Sequence, residues 1–228
     1  MFKRTLASAA FLMIVCATSS FAQATYKFEG SFTLGWNFTD GVSSGTGAIP
    51  GPEGGLYDRL DPKDGTIWGV SGGFFVTENT ELGFMYSHHG SKLVAGGVGG
   101  TPDSEIGDMG IDNYHGYFAF NFGETDKKIR PFVYGGLGAT NFGSVDFRTP
   151  FRTGTINGNT QFSTTWGAGV KYFFTPKFGA RATASWTPTY IKSDAAGYWC
   201  DPYWGCYLVG DAQYSNQIAL TGGITFRF

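Results

Sequence analysis

Three observations predict an all-β chain folded as an eight-stranded antiparallel up-and-down barrel that crosses a membrane. Apolar and polar residues alternate with period two from one end to the other, the connections alternate between short and long, and the N-terminus reads as an export signal. The export signal comes first in the chain. Lys3 and Arg4 precede an apolar run over 6–17, and the small residues that follow predict cleavage after Ala22. The run is shorter than the roughly 20 residues that a spanning helix needs. Residues 1–22 are therefore expected to be a signal peptide and 23–228 a single barrel domain.

The first predicted strand places Tyr26, Phe28, Gly30, Phe32, Leu34, Trp36 and Phe38 on one face and Lys27, Glu29, Ser31, Thr33, Gly35 and Asn37 on the other. A period of two held this long is a strand signal, because successive side chains of extended backbone point to opposite sides. The same alternation begins again at Trp68, Leu82, Tyr114, Val133, Trp166 and Phe178, and ends the chain as QIALTGGITFRF, which makes eight. Short polar turns fall at 77–80, 123–128 and 175–177, whereas 39–65, 88–110, 142–160 and 191–212 read as long Gly/Pro/Asp-rich loops. Short turns on one side and long loops on the other are the arrangement of a transmembrane barrel, with both termini on the short-turn, periplasmic side.

A soluble β-fold would send its largest rings to a core. Here Trp36, Trp68, Tyr86, Tyr114, Trp186 and Tyr214 cluster toward the long-loop ends of the strands, and Tyr26, Phe74, Phe122, Phe174, Phe178 and Phe228 toward the short-turn ends. Two bands of rings predict interfacial girdles. The opposite face carries Lys27, Asn113, His115 and a set of charges expected to meet in the lumen: Glu29 and Glu81 against Arg130, Lys171, Arg181 and Arg227. Eight strands enclose an interior that side chains about fill, so these charges predict a plug.

With 16 Lys plus Arg against 18 Asp plus Glu, two of the bases lying in the export signal, the exported chain is mildly acidic and no nucleic-acid partner is expected. Of three cysteines, Cys200 and Cys206 remain after processing, and in an exported chain they predict one disulfide. Pro202 and Gly205 favour the tight turn between them. Tyr198, Trp199, Tyr203, Trp204 and Tyr207 surround that ring; they either lie back on the outer leaflet or form a rigid contact surface for an extracellular ligand or partner.

The segments IRPFVYGGLGAT (129–140), WGAGVKYFFTPKFGARATASW (166–186) and the terminal ITFRF carry a resemblance that extends over the whole of 23–228. The chain resembles the small outer-membrane β-barrels typified by the OmpA transmembrane domain and its porin-family relatives. The resemblance implies residence in the bacterial outer membrane among its lipids, and it makes Phe228 an assembly signal read by the β-barrel assembly machinery. Since the sequence stops at Phe228, no periplasmic peptidoglycan-binding domain is expected.

Signs of chemistry are weak. The glycines of YGGLGATNFG lack nucleotide-loop spacing, because Asn141 stands where a third glycine is needed; they are expected where crowded lumen chains demand small residues. His88 and His89, with Asp103, Glu105 or Asp108, make a poor metal site because adjacent residues of a strand diverge. Asp58, Asp61 and Asp64 lack calcium-loop spacing. Lipid A deacylases among eight-stranded barrels carry a His-x-Ser-Asn stretch; in QYSN, Gln213 takes the histidine position and cannot act as a base toward Ser215. No cofactor is implied. The expectation is a non-enzymatic surface scaffold, and the alternative a narrow channel for small or hydrophobic solutes.

Overall fold

A computed structural model describes residues 26–43, 48–50, 55–149, 152–191, 200–201, 205–206 and 213–228. The strands in chain order are β1 (Phe28–Thr39), β2 (Val42–Ser43), β3 (Ile49–Pro50), β4 (Leu56–Pro62), β5 (Gly65–Phe75), β6 (Thr80–Val98), β7 (Ser104–Asn121) and β8 (Ile129–Phe142). They are followed by β9 (Val145–Thr149), β10 (Arg152–Ile156), β11 (Asn159–Phe173), β12 (Phe178–Ile191), β13 (Cys200–Asp201), β14 (Gly205–Cys206) and β15 (Gln213–Arg227). Eight of these close a ring in the order β1, β5, β6, β7, β8, β11, β12, β15 and back to β1, every neighbour antiparallel. Closure gives the terminal strand its use: Glu29 pairs with Arg227 and Thr39 with Gln217, so the last strand zips to the first and no edge is left in lipid.

The alternation sorts as the sequence predicts. Phe32, Leu34, Trp36 and Phe38 of β1 and Ile218, Leu220, Ile224 and Phe226 of β15 are exposed, whereas Glu29, Ser31 and Asn37 and Gln217, Thr225 and Arg227 are buried. An exterior of large apolar chains around a polar interior is stable only where the surroundings are lipid. The girdle rings meet across neighbouring strands: Trp68 and Tyr86 at 5.4 Å, Tyr86 and Tyr114 at 5.1 Å and Tyr190 and Tyr214 at 5.7 Å toward the long-loop end, Phe174 and Phe178 at 5.8 Å and Phe178 and Phe226 at 5.1 Å toward the short-turn end.

Three of the long loops are more ordered than their composition suggests. β6 runs on to Val98 and β7 starts at Ser104, so most of 88–110 is a continuation of the barrel wall. Gly99 and Gly100 turn this hairpin at φ 65° and 92°, values that residues with a Cβ rarely adopt. Within 39–65, β4 adds to the edge of β6 and takes β2 and β3 on its far side; within 142–160, β9 pairs with β10. The inward face changes character there: Asn113, His115 and Ser163 in the barrel give way to Leu60, Leu93, Met109, Ile111, Phe142, Val145 and Ile191, buried together at the long-loop end. The barrel is thus capped by a second, apolar core built from its own loops.

Candidate functional site

Among the described residues buried charge is concentrated in the lumen, and adjacent strands set its lower tier. Register places Glu29 (β1) beside Arg227 (β15), and Lys171 (β11) between Arg130 (β8) and Arg181 (β12). Glu81 (β6) reaches in from the other wall. Lys171 is the hub: its Nζ lies 3.2 Å from Glu81 Oε2 and also contacts Glu29, which in turn accepts Arg227 Nε at 3.1 Å. Tyr117 donates its hydroxyl to Glu81. Each of these five chains is at most 5% exposed, so the pairs sit in a low dielectric and each charge depends on its partner.

Aromatic rings pack around the hub. Lys171 Nζ is 4.9 Å and Arg181 Cζ 4.6 Å from the Phe132 ring centre, and Arg227 Cζ lies 3.4 Å over Phe173. Among the described residues Arg130 and Arg181 pair with no carboxylate. Arg181 reaches Thr183 Oγ1 at 3.1 Å and the Ser31 and Ser71 hydroxyls at 3.4 Å. Arg130 Nη2 donates to Glu78 O, Asn79 Oδ1 and Gly123 O, latching two short turns to the wall. Lys27, grouped with the lumen face by its alternation, is exposed instead, because it precedes the first rung of β1 and escapes to the rim.

A neutral tier lies above. Gln217 Oε1 accepts from Asn113 at 3.1 Å and Asn37 at 3.3 Å, and Asn37 Nδ2 contacts His89 Nδ1 at 3.0 Å. Thr140 Oγ1 lies 2.7 Å from Asn113 Oδ1 and 3.0 Å from both Ser163 and Thr189 hydroxyls, and His115 Nε2 is 2.9 Å from Ser163 Oγ. Between the tiers is a cavity of about 80 Å³ lined by Thr33, Ser71, Ser87, Thr165, Thr183 and Thr187 among others, polar and roomy enough for water. Strand contact is close on this level: a Cβ on Gly138 would stand 1.8 Å from the Tyr114 carbonyl oxygen, which is why the run 134–143 needs glycine.

The other positions singled out in the sequence fall elsewhere. His88 and His89 point to opposite sides of the wall: His88 meets Asp112 at 2.8 Å outside, while His89 is fully buried inside. Among the described residues no three potential metal ligands cluster. Ser215 is buried and donates to the Asp40 carbonyl at 2.8 Å. On the hairpin beyond the barrel, Lys92 donates to Glu105 at 2.5 Å, a bond that holds the Glu105 carboxyl below and the Lys92 amine above its ordinary range. Backbone pairing sets Cys200 opposite Cys206; their side chains, like Tyr198, Trp199, Tyr203, Trp204 and Tyr207, lie outside the described residues. The Phe228 ring is 72% exposed, while its backbone bonds Phe28 and Lys27.

Residues 59–196 match the family described as the OprF membrane domain. A curated relative, Outer membrane porin F of Pseudomonas aeruginosa, is 28% identical over 126 residues, which are 53% of this chain and 31% of the relative, so the match spans under a third of that protein. In structure the chain is similar to the outer membrane protein OprG of Pseudomonas aeruginosa (TM-score 0.52, 11% identity, covering 89% of this chain and 97% of that one). It is similar also to Neisserial surface protein A (TM-score 0.51, 11% identity, covering 88% and 97%). At these identities the two structures share the fold alone. The closed eight-stranded barrel and the family match over most of its wall agree: this chain belongs to the OprF membrane-domain family of bacterial outer-membrane β-barrels.

Proposed function

We propose that the protein is a non-enzymatic scaffold of the outer membrane, its lumen closed and its long-loop end turned to the cell surface for contacts with an extracellular ligand or partner. The observation that carries this reading is the lumen, obstructed in series by the Lys171 ion-pair hub, the Asn113–Gln217 amide tier and the apolar cap. The curated relative's name includes porin, so conduction of small or hydrophobic solutes is the competing reading. Both termini are assigned to the periplasm with the short turns, after removal of 1–22 as a signal peptide, and insertion to the assembly machinery acting on Phe228. A Cys200–Cys206 disulfide is assigned to the fourth loop, because directly opposed residues of an antiparallel pair have Cα atoms within bridging distance.

The test is transport against contact. Vesicles containing the refolded protein should admit small sugars and short fatty acids no faster than empty vesicles, and replacing 192–212 by a short Gly-Ser turn should leave insertion intact while removing binding of whole cells to host or abiotic surfaces. Protein-dependent uptake, with surface binding unchanged by the replacement, would overturn the reading in favour of a channel.

A further inference from the structure

The outer wall of β11, β12 and β15 carries a slot at the long-loop girdle. Pairing sets Trp166 opposite Trp186 and Tyr190 opposite Tyr214, and between these two rows of rings lies a floor of Thr164, Pro188 and Asn216. The rows are separated by roughly 13 Å along the strands, and the slot encloses about 570 Å³. Both indole N–H groups turn to the floor: Trp166 Nε1 donates to Thr164 Oγ1 at 3.2 Å and Trp186 Nε1 to Asn216 Oδ1 at 3.1 Å. Asn216 Nδ2 donates to Asp40 Oδ2 at 3.2 Å, which fixes the amide. The girdle on β5, β6 and β7 is built differently. There Trp68, Tyr86 and Tyr114 pack ring to ring, and His88 and the Tyr86 hydroxyl are taken up by Asp112, so that sector is filled by its own side chains.

Toward the bilayer centre the slot continues into a shallow apolar depression. Ala168 pairs with Ala184 and Ala182 with Gly222, all four exposed, while Val170, Leu220 and Ile224 stand exposed around them. A ring-lined slot with a polar floor therefore opens onto a patch of wall where an alkyl chain can lie close to the backbone.

The two parts call for two chemistries in one molecule. A sugar ring is apolar on its C–H faces and polar at its hydroxyl edge. It fits between exposed rings over a floor of amide and hydroxyl, in a site that is mostly apolar with a few placed polar groups. Among the described residues the slot is lined by no Lys or Arg, and a carboxylate stands behind Asn216, so phosphate is not the part recognised. A soluble partner would have to enter below the Tyr190–Tyr214 row, at the level where girdle rings meet lipid. A second barrel would have to pack against Phe162, Trp166 and Tyr214, each more than half exposed and standing around the slot.

We propose that this slot binds a sugar-headed lipid, the sugar seated between the two rows of rings and an acyl chain lying on the Ala182–Ala184 patch. The leaflet follows from the orientation proposed above. The binding does not, and it is read in micelles, where orientation and conduction play no part.

The protein refolded in dodecylphosphocholine is titrated with dodecyl maltoside, with maltose as the head alone and lysophosphatidylglycerol as the chain alone. Indole N–H resonances of Trp166 and Trp186 report the slot, and Trp68 reports general changes in the micelle. Dodecyl maltoside should shift the Trp166 and Trp186 signals saturably and leave Trp68 in place, with neither maltose nor lysophosphatidylglycerol reproducing the effect. Trp186→Leu, which removes a stacking ring, and Ala182→Leu, which fills the depression, should each bind about tenfold more weakly or worse. Both changes are apolar and lipid-facing, so the barrel should keep its heat-modifiable migration, and Trp68→Leu should bind as the wild type does. Lysophosphatidylglycerol acting as well as dodecyl maltoside, all indoles shifting in parallel, or slot variants that bind as the wild type does would overturn the site. So would a barrel dimer that buries Trp166 and Trp186, since it would give the slot to a second copy.

Discussion

Replacing Lys171 with Met should open the lumen's lower tier and destabilise the barrel, and a second substitution should repair much of the damage. Lys171 is 1% exposed and is the shared cation of Glu29 and Glu81. Met fills the same volume and keeps the contacts with Phe132 and Phe75 but brings no charge. Glu29 still has Arg227 at 3.1 Å, whereas Glu81 is left with the Tyr117 hydroxyl and no cation. Removing one partner of a buried ion pair costs about 3–5 kcal/mol, most of it the stranded charge, whereas removing both is often nearly neutral. Lys171→Met alone should therefore cost about 3–5 kcal/mol, and Lys171→Met with Glu81→Gln clearly less. Reversible urea unfolding in lipid vesicles, read by tryptophan fluorescence and by heat-modifiable migration, measures both. A single variant within about 1 kcal/mol of wild type, or a double variant no better than the single one, would refute the account of Lys171 as the hub.

Leu93→Ala removes a fully buried chain from the cap and should cost that region about 2–5 kcal/mol, so added protease should cut the long-loop end faster while the barrel keeps its heat-modifiable migration; equal protease resistance would remove the cap as a cohesive unit. Phe228→Ala keeps the backbone bonds to Phe28 and Lys27 and loses a ring that is mostly exposed, so refolding in detergent should be near normal while the amount inserted in cells falls; equal losses in both assays would separate the ring from any assembly role. Cys200→Ser with Cys206→Ser should leave barrel migration unchanged and weaken surface binding, and free thiols at both positions in protein from native membranes would refute the disulfide.

How far this was legible in the sequence depends on the element. The wall was legible, because lipid outside and a narrow lumen inside force a strict period of two, and each predicted alternation falls on one of the eight barrel strands, although β7 and β11 begin well before it. The long-loop end was not. The glycines and aspartates of 88–110 suggest irregular chain, yet Glu81, Met85, His89, Leu93 and Ala95 stay on one phase; the usable signal was that alternation continues past the girdle while its inward residues turn apolar. The membership of the charge cluster could be read from phase, but the choice of partners could not. Glu29 and Glu81 both bind Lys171, and Arg130 binds neither, because barrel shear decides which rungs share a level and no local pattern encodes shear. The inward rings Tyr117, Phe132, Tyr134 and Phe173 escaped notice beside the girdles, although each stands on the lumen phase of its strand.

Single-channel recording in planar bilayers tests the closed lumen most directly. The account predicts that the wild type is silent and that Glu29→Ala with Glu81→Ala, which strands Lys171 and Arg227 and breaks the lower tier, raises the frequency of openings. Steady conductance in the wild type, with no increase in the variant, would contradict it.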